Sequence, residues 1–309
     1  MAEDRHITNI QVGLGCDRNC AACARFFDCT SPLKADLYKA PALRKIQKRL
    51  ADIKYKIAIL SGKGGVGKST VTVNLAGALV LRGAKVGILD SDFYGPSIPT
   101  MTGVRGKRMS LTEDERGMLP VVNNQGIKVA SVGATIEEAA YVTWMGDELR
   151  WGLYSFLGNT IWGELDFLLI DLPPGTGEET TNVMKAVQDL DGAIMITIPS
   201  DISQVVVGRC ITLCQKGEAP ILGVIENMGT MHCPSCTKSI DVFSTGGGKV
   251  VCEKTGVPYL GSIPLDSKVC DASDEGIPFV IKYPELEASK IFMGIAREIA
   301  VKIGYLKGG

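Results

Sequence analysis

The sequence predicts an α/β protein, a doubly wound and mostly parallel sheet with helices on both faces. Three observations predict it. The apolar run Ile57–Leu60 stops at a glycine-rich loop, which leads into a helix-compatible segment beginning Lys68-Ser69-Thr70. From Ile53 onward, apolar runs of strand length alternate with segments of helix length, the pattern of repeated strand–helix units. Two of the apolar runs end in acids, Asp90 and Asp171. Carboxylates at strand C-termini sit where open α/β sheets bind ligands.

Bulk composition narrows the classes. The chain has 309 residues, enough for one large α/β domain or two modest ones. Its 33 basic and 34 acidic side chains nearly cancel, which provides no global field for nucleic acid or an acidic membrane. No apolar stretch approaches the roughly 20 residues of a membrane helix. The start, Met-Ala-Glu-Asp-Arg-His, has no apolar signal core. A soluble cytoplasmic protein, with no nucleic-acid or membrane partner, is the expectation. Ten cysteines in a reducing compartment point to metal or redox chemistry more than to disulfides.

Residues 1–52 read as a cysteine-rich extension with a linker helix, and residues 53–309 as the nucleotide-binding domain. Cys16, Cys20, Cys23 and Cys29 are spaced Cys-x3-Cys-x2-Cys-x5-Cys with small residues between. Four thiolates at this density suit a [4Fe–4S] cluster or a zinc site. Soft sulfur ligands do not choose between the two. Pro41–Leu50 reads as a basic amphipathic connector helix, with Leu43, Ile46 and Leu50 facing the main domain.

Gly62-Lys63-Gly64-Gly65-Val66-Gly67-Lys68-Ser69 fits G-x-x-x-x-G-K-[ST], and Thr70 follows. The glycines let backbone N–H groups approach an anion, Lys68 reaches β- and γ-phosphates, and Ser69 ligates Mg²⁺. The helix that starts here adds its positive dipole end. ATP and Mg²⁺ are the ligands this predicts.

Lys85–Asp90 is the second strand, and Asp90-Ser91-Asp92 opens a Gly-Pro-containing loop. Residues 101–126 are polar and patternless and read as an exposed excursion. Gly126–Val132 is a further strand. Asp147–Trp162 reads as a helix with Leu149, Leu153, Phe156 and Leu157 on one face, and Trp151 is expected in the core with them. Asp166–Ile170 is apolar enough to be buried on both faces. It ends at Asp171, placed to act on Mg²⁺ through a water. The next loop, Pro173-Pro174-Gly175-Thr176-Gly177, can take different shapes before and after hydrolysis.

Gly192–Pro199 is the next strand. The helix behind it carries Cys210 and Cys214 at i, i+4 among apolar neighbours, which reads as buried structural thiols, with metal binding as the alternative. Ile221–Met228 is a strand ending Glu226-Asn227-Met228. Cys233-Pro-Ser-Cys236 offers two metal ligands where a tetrahedral site takes four, and two chains about a twofold axis would supply the rest. A redox dithiol is the alternative. The remainder reads as loop, helix, last strand and a closing amphipathic helix over 285–303.

Taken together, these motifs resemble the Mrp/ApbC family of iron–sulfur cluster carrier ATPases, within the deviant Walker A class of P-loop proteins such as MinD, ParA and the nitrogenase iron protein. The residues are Ser61 to Thr70, Asp90 to Pro99, Trp162 to Asp166, Asp171 to Gly177, Glu226 to Met228, Cys233 to Cys236 and Gly261 to Asp266. The resemblance implies a homodimer in which Lys63 reaches the partner's nucleotide. In it Asp92 positions the attacking water, Asp90 supports the Mg²⁺ shell and Asn227 pairs with the adenine edge. It implies a [4Fe–4S] cluster held between two subunits by Cys233 and Cys236, and transfer of that cluster to apo-proteins with ATP hydrolysis. The N-terminal cysteines are similar to those of the cytosolic assembly branch, although that pattern has its first cysteine further upstream than Cys16. The alternatives are a MinD- or ParA-like positioning ATPase, and an ATP-driven electron donor like the nitrogenase iron protein.

Overall fold

The computed structural model describes residues 19–23, 25–29, 31, 32, 34–114, 116–135, 143–232, 236, 238–242 and 246–307, without the side chains of 201–204 and 232. Eight strands form the main sheet. They are β1 (Ile53–Ser61), β2 (Val86–Asp90), β3 (Val121–Val122), β4 (Lys128–Ser131), β5 (Leu165–Asp171), β6 (Gly192–Thr197), β7 (Ile221–Glu226) and β8 (Tyr259–Ser262). Their order across the sheet is β8-β7-β6-β1-β5-β2-β4-β3. Every pairing is parallel except that of the edge strand β3 with β4.

Alternation along β1 explains why the sheet is covered twice. Ile57 and Ile59 point into one core and Ala58 and Leu60 into the other, all fully buried. The first core is closed by α2 (Lys68–Val80) and the C-terminal helix Glu287–Lys302. Helix α2 is apolar nearly all round, with Val71, Val73, Leu75, Ala76, Ala78 and Leu79 buried, because it lies between sheet and outer helix. Phe292, Ile295 and Ile299 of the closing helix pack here, as expected.

The second core is closed by α1 (Pro41–Leu50), α3 (Asp147–Asn159), α4 (Glu178–Ala186) and α5 (Asp201–Lys216). Leu43, Ile46 and Leu50 of α1 are at most 5% exposed. Burial of each such side chain stabilises the fold by about 1.5–3 kcal/mol. The basic face of this helix is thus a connector's outer face. Cys210 and Cys214 are fully buried, and burial pushes their thiols up to about 11 and about 12.

Two expectations are corrected. Trp151 is 59% exposed, because Leu149, Leu153, Phe156 and Leu157 form the buried stripe of α3 and position 151 falls off it. Residues 101–126 are largely exposed, as expected, but the described ones include strands, a hairpin pairing Ser110–Leu111 with Met118–Leu119 followed by β3, each too short to carry a hydrophobic period. Among the described residues no helix is long and apolar enough to cross a membrane.

Candidate functional site

The parallel register aligns the chemistry. β5 lies between β1 and β2, with Asp171 opposite Ile59 on one side and Asp90 on the other. The glycine-rich loop leaves β1 two residues later. It turns into α2 through Gly67 at φ +77°, a left-handed conformation that suits glycine. A Cβ at Gly67 would lie 2.2 Å from Asn227 Nδ2, and one at Gly62 would lie 2.6 Å from Val206 Cβ. Both glycines are therefore fixed by close approach.

A cleft of about 200 Å³ opens over the loop, lined by Lys63 to Thr70 with Asp92, Ser97, Met101 and Pro174. At its floor Lys68 Nζ donates to Asp171 Oδ2 at 2.6 Å, and the Ser69 hydroxyl donates to the same oxygen at 2.7 Å. Thr72, which sequence reading missed, donates to Asp171 Oδ1 at 2.6 Å. It stands one helical turn beyond Lys68 on the same face, but nothing local marks its partner. With Ser91 donating to the Asp171 main-chain carbonyl, the acid is held at every oxygen.

Asp90 is buried beside this set. Its Oδ2 accepts from Ser131 Oγ at 2.9 Å and its Oδ1 accepts from the Asp92 N–H at 3.3 Å. Burial, then the Asp171 charge, push its carboxyl up to about 8. Asp92 stands at the mouth, half-buried, with Oδ1 accepting the Gly95 N–H. Near it Glu179 is raised to about 7 by burial, then by the charges of Asp92 and Glu178. The loop after β5 is tied back to β1, the Gly175 N–H donating to the Ser61 carbonyl at 2.7 Å.

A cradle of loop N–H groups, an ammonium, a hydroxyl and a carboxylate fits a Mg²⁺–nucleotide. Lys68 would take the phosphates, with Ser69 and Asp171 on the metal side. Lys63 lines the cleft and makes no ion pair among the described residues.

Asn227 directly follows β7 and is buried against the loop, its amide donating to the Val66 carbonyl at 2.9 Å. One N–H and the side-chain carbonyl are left for an adenine edge. Directly after it, Met231–His232 pairs antiparallel with Ser239–Ile240. Cys236 lies between its two strands in sequence, and the hairpin follows the carboxyl end of β7, on the same edge of the sheet as the glycine-rich loop. Cys236 is exposed there, and Cys233 lies outside the described residues.

The N-terminal cysteines lie elsewhere. Cys20 and Cys23 share a turn closed by the Cys23 N–H on the Cys20 carbonyl at 3.4 Å. Cys29 follows beyond the short helical turn Phe26–Asp28, its Sγ accepting from the Ser31 N–H. Cys16 lies outside the described residues. Among the described residues no three metal-binding side chains are gathered, and what links Cys20 and Cys23 is the main-chain bond of their turn.

This segment docks on the far ends of α4 and α5. Lys185 Nζ donates to the Ala21 and Cys23 carbonyls, both at 3.1 Å, Phe26 is buried, and Asp28 pairs with Lys216. Both helices follow strands of the parallel sheet, so their far ends, where Cys20 and Cys23 dock, lie toward the edge opposite the glycine-rich loop.

Comparisons with known proteins give the family and the fold. Residues 52–300 match the ParA family, described as NUBPL iron-transfer P-loop NTPase. The chain is 43% identical over 289 residues to an iron-sulfur cluster carrier protein of Methanocaldococcus jannaschii, covering 93% of this chain and 97% of the relative. It is 41% identical over 256 residues to the human cytosolic Fe-S cluster assembly factor NUBP2, covering 81% and 93%. Among solved structures, a nucleotide-binding protein of Archaeoglobus fulgidus in complex with ADP superimposes with a TM-score of 0.70 at 36% identity, over 81% of this chain and 96% of that one. The cell division ATPase MinD of Pyrococcus furiosus gives 0.58 at 25% identity, over 79% and 98%. The family match spans most of the chain and the relatives exceed 40% identity over most of its length, so the chain belongs to the NUBPL iron-transfer P-loop NTPase family.

Proposed function

We propose that this chain is an ATP-hydrolysing iron–sulfur cluster carrier that works as a homodimer and hands a [4Fe–4S] cluster to apo-proteins in the cytoplasm. One observation carries the reading. Asn227 joins the two halves of the device, its side chain on the Val66 carbonyl of the phosphate loop and its backbone leading within four residues into the hairpin of Cys236. A shift of the phosphate loop is thereby felt at the base of the hairpin. The cluster is the cargo, held by Cys233 and Cys236 of two chains.

In the nucleotide half, Lys68 leaves Asp171 for the β- and γ-phosphates when ATP enters. Ser69 and Asp171, with Asp90 behind them, would hold a Mg²⁺ that would supply charge neutralisation at the phosphates. Asp92 orients the water that attacks the γ-phosphorus as the bond to the bridging oxygen breaks, giving ADP and inorganic phosphate. Lys63 of one protomer reaches its partner's nucleotide. A cation supplied across an interface in phosphoryl transfer is worth about 10³–10⁵ in rate. Asn227 meets the adenine edge with its remaining amide groups. Cys16, Cys20, Cys23 and Cys29 form a second, resident thiolate site for a [4Fe–4S] cluster or zinc.

The names of the relatives and the family match support the carrier reading. The test is Cys233→Ala with Cys236→Ala, followed by anaerobic reconstitution, iron and sulfide analysis, and transfer to an apo iron–sulfur acceptor with and without ATP. The expected result is loss of one transferable cluster per dimer with ATP binding intact. Transfer at the wild-type level would overturn the assignment.

A further inference from the structure

Glu226 is the last residue of β7 and is 3% exposed. Two donors from different elements meet its carboxylate. The Gly248 N–H donates to Oε2 at 2.7 Å, and the Ser262 hydroxyl donates to Oε1 at 3.1 Å. Gly248 stands in the first turn of the helix Gly247–Thr255, and Ser262 ends β8. The hairpin of Met231–His232 with Ser239–Ile240 lies between Glu226 and Gly248 in sequence. One side chain thus joins the strand that enters the hairpin to the helix that leaves it, and both to β8. The fit is close, since a Cβ at Gly248 would lie 3.1 Å from Glu226 Cβ.

Beyond Glu226 the chain turns under constraint. The Asn227 N–H donates to the Thr197 carbonyl at 2.7 Å, and the Gly229 N–H donates to the Ile263 carbonyl at 2.9 Å. Met228 between them has φ +55°, a left-handed conformation that a residue with a Cβ adopts at a cost. Such a conformation persists where the surrounding bonds impose it.

A buried carboxylate is costly, and an apolar side chain would fill the same place at less cost. What the carboxylate provides is two strong, directional bonds to two separate elements. Other groups packed here do not replace them. Tyr259 and Cys252 are neutral at pH 7, pushed up to about 12 and about 11 by burial and then by the Glu226 charge. Lys249 has its ammonium over the Tyr259 ring, 5.6 Å from the centroid. The two bonds close the base of the excursion 227–247. Without them the returning strand follows the entering one through a short ladder and the Thr230 hydroxyl on Asp241. A displacement of Asn227 would then move the entering strand and leave the helix behind. With them, both ends of the excursion stand on the residue next to Asn227.

We propose that Glu226 is the positioning residue that couples the phosphate loop to the cysteine hairpin, by tying both ends of the hairpin's excursion to the residue before Asn227. It acts through Asn227 and Gly248. This rests on the proposed carrier function, in which nucleotide state is felt at the hairpin, and it names the residue that passes the change to the returning strand.

The test uses the full chain, nucleotide-free and with ADP and Mg²⁺ at concentrations that calorimetry shows to be saturating. Wild type is compared with Glu226→Ala and with Glu226→Gln. In the Gln variant the side-chain oxygen still accepts from Gly248, and the amide N–H donates to the Ser262 oxygen, whose hydroxyl turns round. Both ties therefore remain. Amide exchange is read at Met231 on the entering strand and at Ile240 and Gly248 on the returning side, and alkylation of Cys236 is timed. In wild type, ADP is expected to change exchange on both sides and the Cys236 rate. In Glu226→Ala, Gly248 exchange is expected to rise about tenfold. The ADP effect should persist at Met231 and vanish at Ile240 and Cys236, and Glu226→Gln should restore the wild-type pattern. An ADP response at Ile240 and Cys236 in Glu226→Ala equal to wild type overturns the role. Faster exchange on both sides alike, whether or not ADP is present, reduces Glu226 to packing and overturns it as well. A wild-type hairpin that ignores ADP overturns the coupling in the carrier reading, and the role with it, before any variant is compared. Thermal melting confirms that each variant folds. Glu226→Asp, whose carboxylate is drawn back by one methylene, replaces Glu226→Ala if the latter does not fold.

Discussion

Lys68 Nζ lies 2.6 Å from Asp171 Oδ2 in a pair almost closed to solvent, with Lys68 7% and Asp171 0% exposed on their side chains. The lysine proposed to take the phosphates is thus parked on the acid proposed to take the metal side. Breaking a buried pair by removing one partner is costly, about 3–5 kcal/mol. Asp171 keeps the Ser69 and Thr72 hydroxyls, which limits the loss. Lys68→Met is expected to lower unfolding free energy in urea by about 3 kcal/mol and to abolish ADP binding by calorimetry. Thr72→Val, of similar shape, is expected to cost about 2 kcal/mol while ADP still binds. Unchanged stability in both variants would mean that the pair is not a structural element of the nucleotide-free protein.

Gly67 provides a second test. At φ +77° any other L-residue is strained, and a Cβ would come within 2.2 Å of Asn227 Nδ2. Gly67→Ala must therefore displace Asn227 from the Val66 carbonyl as well as strain the loop, at a cost of about 1–3 kcal/mol. The expected outcome is loss of nucleotide affinity together with faster amide exchange at Thr230 and Met231, at the base of the cysteine hairpin. Weaker binding with unaltered hairpin exchange would separate the loop from the hairpin.

These two sites show where sequence reading succeeds and where it stops. The phosphate loop, Asp90 and Asp171 were legible because each sits at a strand end, and strand ends are marked by the switch from apolar residues to glycine or acid. Thr72 was not legible, because its partner arrives from a strand about 100 residues later and only the β1–β5 register aligns them. Trp151 was misplaced for a related reason. An aromatic reads as core unless the helical stripe is traced, and four neighbours occupy that stripe. Lys185 was not singled out in the sequence, because its burial depends on the main-chain carbonyls of Ala21 and Cys23, which no local pattern reports.

Cys210 and Cys214 yield a sharp chemical expectation. Both are fully buried and their thiols are held at about 11 and about 12 by desolvation, so almost no thiolate is present at neutral pH. In the native protein they should resist alkylation at pH 8 for hours and react on unfolding, read residue by residue by mass spectrometry. Replacing both with alanine should leave metal content unchanged, and cost about 1–2 kcal/mol in all for the lost packing. Rapid native labelling, or metal lost with them, would restore the metal-ligand alternative.

Glu179 sets a pH dependence at the mouth of the site. Its carboxyl is raised from 4.5 to about 7, first by burial and then by Asp92 and Glu178. Between those values the folded state holds a proton that the unfolded chain has released. Unfolding free energy then falls as pH rises through this window. The contribution is complete below about 4.5 and lost above about 7, and partial exposure of the group reduces its size. Asp90, at about 8, acts in the same direction. Denaturation in urea should therefore find the wild type losing stability between pH 5 and pH 8. Glu179→Gln should lose less over the same range, because it keeps a neutral side chain throughout. If a cation reaches the cleft mouth from a partner chain, as Lys63 is proposed to do, ATP should shrink the difference between the two proteins. The positive charge then favours ionised Glu179. A Gln variant with the wild-type slope would assign the pH dependence to Asp90 and the remaining carboxylates.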